Sequence, residues 1–158
     1  MKFIHTADLH LESRMASSFS ASLASERRRE LLLTFGRLFS YAEEKYGSEA
    51  EYLWANDPYS AVLRNLFNRK WYAIAMRVAG NKLGLKTENP VAIVSVKCDP
   101  VLREFLLQRE GYFPAYHLNK RTWITASLEG DVPFEELCRL IDMSYSLVSE
   151  AKRPKKQV

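Results

Sequence analysis

PAYHLNKRTWITASLEGDVPFEELCRLIDMSYSLV, residues 114–148, is the stretch that decides the fold. Residues 121–128 are rich in β-branched and aromatic side chains, which suit a pleated, half-buried surface, and they read as a strand. Glu129-Gly130-Asp131 supplies turn chemistry, and Pro133 then opens a helix in which Leu137, Ile141, Ser144 and Val148 fall on one stripe. The strand is entered through a basic and aromatic cluster made of Tyr116, His117, Asn119, Lys120, Arg121 and Trp123.

Upstream, VAIVSVK (91–97) is almost continuously apolar, the mark of a strand covered on both faces, and is predicted to be central in its sheet. Asp99-Pro100 follows as a helix cap and first-turn proline, with Leu102, Phe105 and Leu106 expected to face inward and Gly111 to close the segment. YSAVLRN (59–65) and KWYAIAMRV (70–78) read as an antiparallel hairpin. Before them, Ser25 caps a helix that carries Leu31, Phe35, Leu38 and Ala42 at helical spacing and ends at Gly47. Residues 3–6 read as a short strand running into an Asp8/His10 turn, and the Ser- and Ala-rich residues 13–24 as a loop.

This order predicts an α+β fold, a two-layer α/β sandwich with an antiparallel sheet and helices on one face. The expected domain plan is a leader over 1–24, loosely docked or adding an edge strand, a domain over 25–151, and a basic tail over 152–158.

A chain of 158 residues with 47% hydrophobic and 27% charged content can bury one good core. No apolar run approaches the ~20 residues of a membrane-spanning helix and no secretory pattern opens the chain, so a cytoplasmic location without membrane contact is expected. Cys98 and Cys138 stand apart with neither a CxxC spacing nor a neighbouring His and read as buried free thiols. With no glycine-rich phosphate loop and no nucleophile–base pairing in sequence, no cofactor and no enzymatic reaction are expected. The net charge of +4 is concentrated in the tail, where Lys152, Arg153, Lys155 and Lys156 leave the rest of the chain close to neutral. Such a tail attracts phosphates without sequence preference, or is simply a solvated end.

From about Tyr46 to Ala151 the motifs KYGSEAEYLW, KWYAIAMRV, VKCDP, YHLNKRTWI and LIDMSYSLV occur in the order seen in the MmcQ/YjbR family, which this region resembles. The resemblance implies a CyaY-like sandwich and a family described as DNA-binding, with no established reaction. A frataxin-like acidic iron ridge does not fit, since the first helix carries Arg27, Arg28, Arg29 and Arg37. Residues 1–44 differ: MKFIHTADLHL followed by RRRELLLTFGRLFSYAEE resembles the opening of an SbcD-type metallophosphoesterase exonuclease. In that family an Asp-x-His motif, here Asp8 and His10, supplies ligands to a two-metal site. The remaining ligand motifs have no counterpart, because Gly130-Asp131 runs into Val132-Pro133 and Gly80-Asn81 into Lys82, so no metal is expected.

The candidate partners are therefore DNA or another protein. Lys120, Arg121, His117 and Asn119 crowd donors at the strand entry while Tyr116 and Trp123 offer flat faces, a combination that holds phosphates and stacks bases. Lys70 and Trp71 do the same at the hairpin, beside Arg69, giving two basic elements able to act as paired wings on a duplex. Strand alternation sends Trp71 and Tyr72 to opposite faces, so one of them is the surface aromatic, equally suited to a protein contact. The competing structural reading makes Trp123 part of the sheet packing and has Asn119 and Arg121 tie the loop to Ser144 and Tyr145.

Overall fold

A computed structural model of the chain describes the backbone of residues 9–150, and side chains from residue 21 onward except at 24, 27, 28, 30 and 31. Helix α1 spans Leu9–Tyr46, followed by β1 (Ala61–Arg64), β2 (Trp71–Ala79), a 3-10 turn (Gly80–Leu83) and β3 (Pro90–Lys97). Helix α2 (Pro100–Leu106), β4 (Tyr112–Pro114), β5 (Trp123–Ser127) and α3 (Phe134–Glu150) complete the order. The strands form one antiparallel sheet in the order β1-β2-β3-β5-β4, and α3 packs across β2 and β3, the expected α+β arrangement.

β3 lies in the middle of the sheet, and its residues 91–96 are all buried, as its unbroken apolar run requires. Alternation aligns Ile74, Ser95 and Thr125 in one row across β2, β3 and β5. The Ser95 and Thr125 hydroxyls, 2.7 Å apart and without exposed surface, satisfy each other within that row. The open edges are short. β1 is partly covered by a bridge between Glu51 and Val62, and β4 ends at a proline, which offers no donor to a further strand.

On α1, Phe35, Leu38 and Ala42 are buried, matching the expected stripe, and Gly47 ends the helix at φ +68°, a conformation that costs glycine little. The start of the helix differs from expectation. It includes residues 13–24, read from sequence as a loop, because no glycine or proline interrupts the chain between Leu9 and Phe35, and alanine and leucine favour helix while serine tolerates it. His10 accordingly sits in the first turn of α1, while Asp8, the strand expected at 3–6 and the tail 152–158 lie outside the described residues. The chain divides into a unit of residues 1–33 and a compact unit beginning at Thr34, later than the boundary placed at Ser25.

Asp99 caps α2 through its side chain, which accepts from Val101 N at 2.9 Å and Leu102 N at 3.3 Å, with Pro100 in the first turn as expected. The expected inward face of α2 is corrected: Leu106 is buried, but Leu102 is 38% and Phe105 69% exposed. The helix has seven residues, and a two-turn helix meets the body with one residue. On α3, Leu137, Ile141, Ser144 and Val148 are all buried, as their stripe predicts. None of the helices among the described residues is long and apolar enough to cross a membrane.

Candidate nucleic-acid interface

The segment between β4 and β5 folds back over the sheet instead of projecting from it. Tyr116 packs with Met76 and Leu83 against the buried cluster Val78, Val91 and Ile93. His117 follows with φ +54°, a left-handed conformation uncommon for a residue bearing a Cβ, and its ring lies 4.1 Å from that of Tyr116 at an interplanar angle of 65°. Asn119 closes the loop. Its carbonyl accepts from Thr122 N at 3.2 Å and Trp123 N at 3.0 Å, and its side chain accepts from Arg121 N at 2.9 Å. The loop thus holds its own shape, and the tie from Asn119 and Arg121 to Ser144 and Tyr145 is not formed. Ser144 instead bridges two strands, donating to the Tyr72 carbonyl at 2.5 Å and accepting from Lys97 N at 2.9 Å.

This geometry divides the residues expected at the site. Trp123 is 7% exposed, with the Lys97 ammonium 5.9 Å from its ring centroid, so it belongs to the sheet and cannot stack on a base. His117, Lys120 and Arg121 are exposed, and neither Lys120 nor Arg121 has a carboxylate partner among the described residues. Lys82, absent from the expected set, joins them. With Leu83, Pro114, Tyr116, His117 and Lys120 it lines an open hollow of about 460 Å³. The signal was present in Gly80-Asn81-Lys82-Leu83-Gly84, a lysine on a turn bracketed by glycines. That turn depends on Gly80, where an added Cβ would stand 2.6 Å from Thr87 Cγ2 and 2.9 Å from the Thr87 carbonyl.

The hairpin is built differently. Tyr72 is fully buried and Trp71 is the partly exposed aromatic, settling which of the two reaches the surface. Trp71 packs edge-on against Trp54 at 6.2 Å, with the Arg64 guanidinium 5.5 Å from its ring centroid. Arg64 and Arg69 both reach Glu51, at 2.5 and 2.7 Å, and the hydrogen bond from Arg69, then that from Arg64, hold the Glu51 carboxyl below its ordinary range. Arg64 and Arg69 thus share a single carboxylate, which offsets one of their two charges, and Lys70 has no ion-pair partner among the described residues. At about 3.3 Å per residue, β2 places Trp71 roughly 25 Å from Ala79, after which Lys82 follows. The hairpin and the hollow are therefore separate surfaces, about the length of β2 apart.

The densest polar network lies between α1 and α3. Asp142 accepts from Tyr46 at 2.6 Å, from Tyr41 at 2.8 and 2.9 Å, and from Lys45 at 3.0 Å. Burial would raise the Asp142 pKa, but the hydrogen bonds from Tyr46, Tyr41 and Lys45 outweigh it and the carboxyl is held low. Tyr46 moves the other way, its hydroxyl raised by burial and then by the carboxylate it donates to. Tyr46 also stacks on Tyr145 at 3.8 Å, and both rings meet Tyr72, whose hydroxyl burial pushes up to about 12. The Asp142 bonds join α1 to α3, and the ring contacts of Tyr46 and Tyr145 seat that pair of helices on Tyr72 of β2.

A family model named YjbR matches residues 43–147. The chain belongs to the YjbR family. Its relatives include YyaQ of Bacillus subtilis (strain 168), 37% identical over 73% of this chain and 98% of YyaQ. YjbR of Escherichia coli (strain K12) is 30% identical over 77% of this chain and 95% of its own length. A crystal structure of a Pseudomonas syringae protein, 35% identical, superposes with a TM-score of 0.68 over 71% of this chain and 96% of that one. A Deinococcus radiodurans protein with a DUF419 domain, 30% identical, gives 0.57 over 75% of this chain and 80% of its own. The YjbR match begins at residue 43, and these comparisons do not bring out the expected exonuclease-like opening over residues 1–44.

Proposed function

We propose that this YjbR-family chain is a noncatalytic module that binds nucleic acid through the 117–121 loop and Lys82. The observation that carries the reading is the convergence of Lys82, His117 and Lys120 on one hollow, with Arg121 beside it and no acidic side chain in the lining. Exposed, unpaired cations of this kind meet phosphates, and their contribution to affinity falls with salt because releasing condensed counterions gains less entropy in a more concentrated solution. Fluorescence anisotropy of a labelled duplex, titrated at low and physiological salt, tests it with the intact chain, the chain ending at Ala151, and Lys120→Ala/Arg121→Ala. Loss of binding in the double variant alone supports the loop as the site. Loss only on removal of the tail, or no binding by any form, refutes it.

A second reading, a protein-interaction module, is favoured by the hairpin, where Phe67 is 92% exposed near the partly exposed Trp71 and Trp54. It expects Phe67→Ser/Trp71→Ser to leave DNA binding unchanged while abolishing concentration-dependent self-association or partner capture.

A further inference from the structure

We infer that the hollow lined by Lys82, Tyr116, His117 and Lys120 is a site for a single nucleotide unit, a nucleoside monophosphate held by its phosphate and one base face. The inference rests on the nucleic-acid reading above but makes a separate claim, since a duplex can ride on the cationic rim without entering the hollow. Its volume of about 460 Å³ falls among small-molecule sites, which span roughly 300–1,000 Å³. The lining divides into two chemistries. Lys82 and Lys120 come from two separate segments, the turn after β2 and the loop before β5, and meet at the same opening. Leu83, Pro114, Leu118 and the Tyr116 ring provide the apolar part.

The Tyr116 and His117 rings, inclined at 65° to one another, form an angled wall on which a base can lie against one ring while its edge meets the other. Backbone structure fixes this wall: Tyr116 is anchored in the cluster of Val78, Val91 and Ile93, and His117 is turned by its positive φ. With no carboxylate in the lining, cations are not favoured. Lysines, unlike arginine forks, meet a phosphate as point charges, so the site selects for the charge and the flat base more than for base identity.

The shared chemistry could come from a free mononucleotide or from the phosphorylated end of a strand. Amide chemical-shift titration of the full chain with AMP, adenosine and inorganic phosphate tests the site. Saturable shifts confined to residues 80–85 and 114–120 with AMP are expected, with adenosine and phosphate at least tenfold weaker. Lys82→Ala should weaken AMP about tenfold, whereas Lys86→Ala, an exposed lysine outside the lining, should not. Equal weakening by Lys86→Ala would reduce the effect to net charge and overturn the site. So would duplex binding without any response to AMP, an outcome that leaves the nucleic-acid reading standing. AMP binding without duplex binding keeps the site and ends that reading. A matched pair of single strands, 5′-phosphorylated and 5′-hydroxyl, separates the sources: preference for the phosphate identifies a strand end, equality a free nucleotide.

Discussion

A single carboxylate shows how strongly this domain relies on contacts remote in sequence. Asp142 gathers Tyr41, Tyr46 and Lys45 from α1, so its removal strands two partly buried hydroxyls and unpairs the ammonium. Asp142→Ala should lower stability by about 1–3 kcal/mol, toward the lower end because a third of the side chain meets water, as read by urea unfolding at pH 7. The pH dependence has a defined sign. A carboxyl whose folded pKa is held below its unfolded value, near 3.9, contributes stability above that value and loses it as pH falls through the folded pKa. The gap between wild type and Asp142→Ala should therefore be full at pH 6 and shrink below pH ~4, and a constant gap down to pH 2 would refute the assignment. None of this was legible in the sequence, where YAEEKY reads only as a helix end, because the carboxylate lies about a hundred positions later. Trp123 was ambiguous for a related reason: alternation places a side chain on one face or the other without saying what covers that face.

Elements with a strong period or a turn signature were placed correctly, whereas β4 was not foreseen and the inward face of α2 was misassigned. The hairpin, the central strand, the proline-opened helices and the α3 stripe each rest on several agreeing residues. β4 has three residues and α2 seven, too few for a period to fix which side faces in. The exposed α2 face gives a direct test: Phe105→Ser should alter stability by less than about 0.5 kcal/mol, while Leu106→Ala should cost about 2–3 kcal/mol in the same urea assay. The hairpin turn is secured by side chains that propensity alone would call loop formers. Asn65, 2% exposed, donates to Ser149 Oγ at 2.9 Å and accepts from Phe67 N at 2.9 Å, and Asn68 donates to the Val148 carbonyl at 2.9 Å. These bonds join the β1–β2 turn to the last turns of α3. Asn65→Ala should cost about 1–3 kcal/mol and speed amide exchange at 66–70 and 147–150 together; exchange that changes only in the turn would show that the link to α3 contributes nothing.

At the scale of the whole molecule, the sequence suggested two resemblances, of which the YjbR one is shown, and the structure draws its own division. Every buried side chain among those described lies between Phe35 and Val148, inside the compact unit that begins at Thr34 and contains the YjbR match. Residues 13–24, the part of α1 read from sequence as a loop, mix serine, alanine and isolated apolar residues without a sustained stripe, so periodicity gave no helix signal there. A chain starting at Thr34 retains Phe35, Leu38, Ala42 and the Tyr41–Tyr46–Asp142 network, the described contacts by which α1 joins the sheet and α3. Its thermal midpoint should match that of the full chain within about 2 °C, since a change of 1 kcal/mol shifts a domain of this size by roughly 3–5 °C. The same truncation should leave duplex binding and its salt dependence unchanged if the 117–121 loop carries the site, because none of the hollow's lining comes from before Lys82. A large drop in midpoint would mean that residues 1–33 cover part of the body. Lost binding with an unchanged midpoint would instead move the nucleic-acid contact to the arginine-bearing start of the chain, away from the loop.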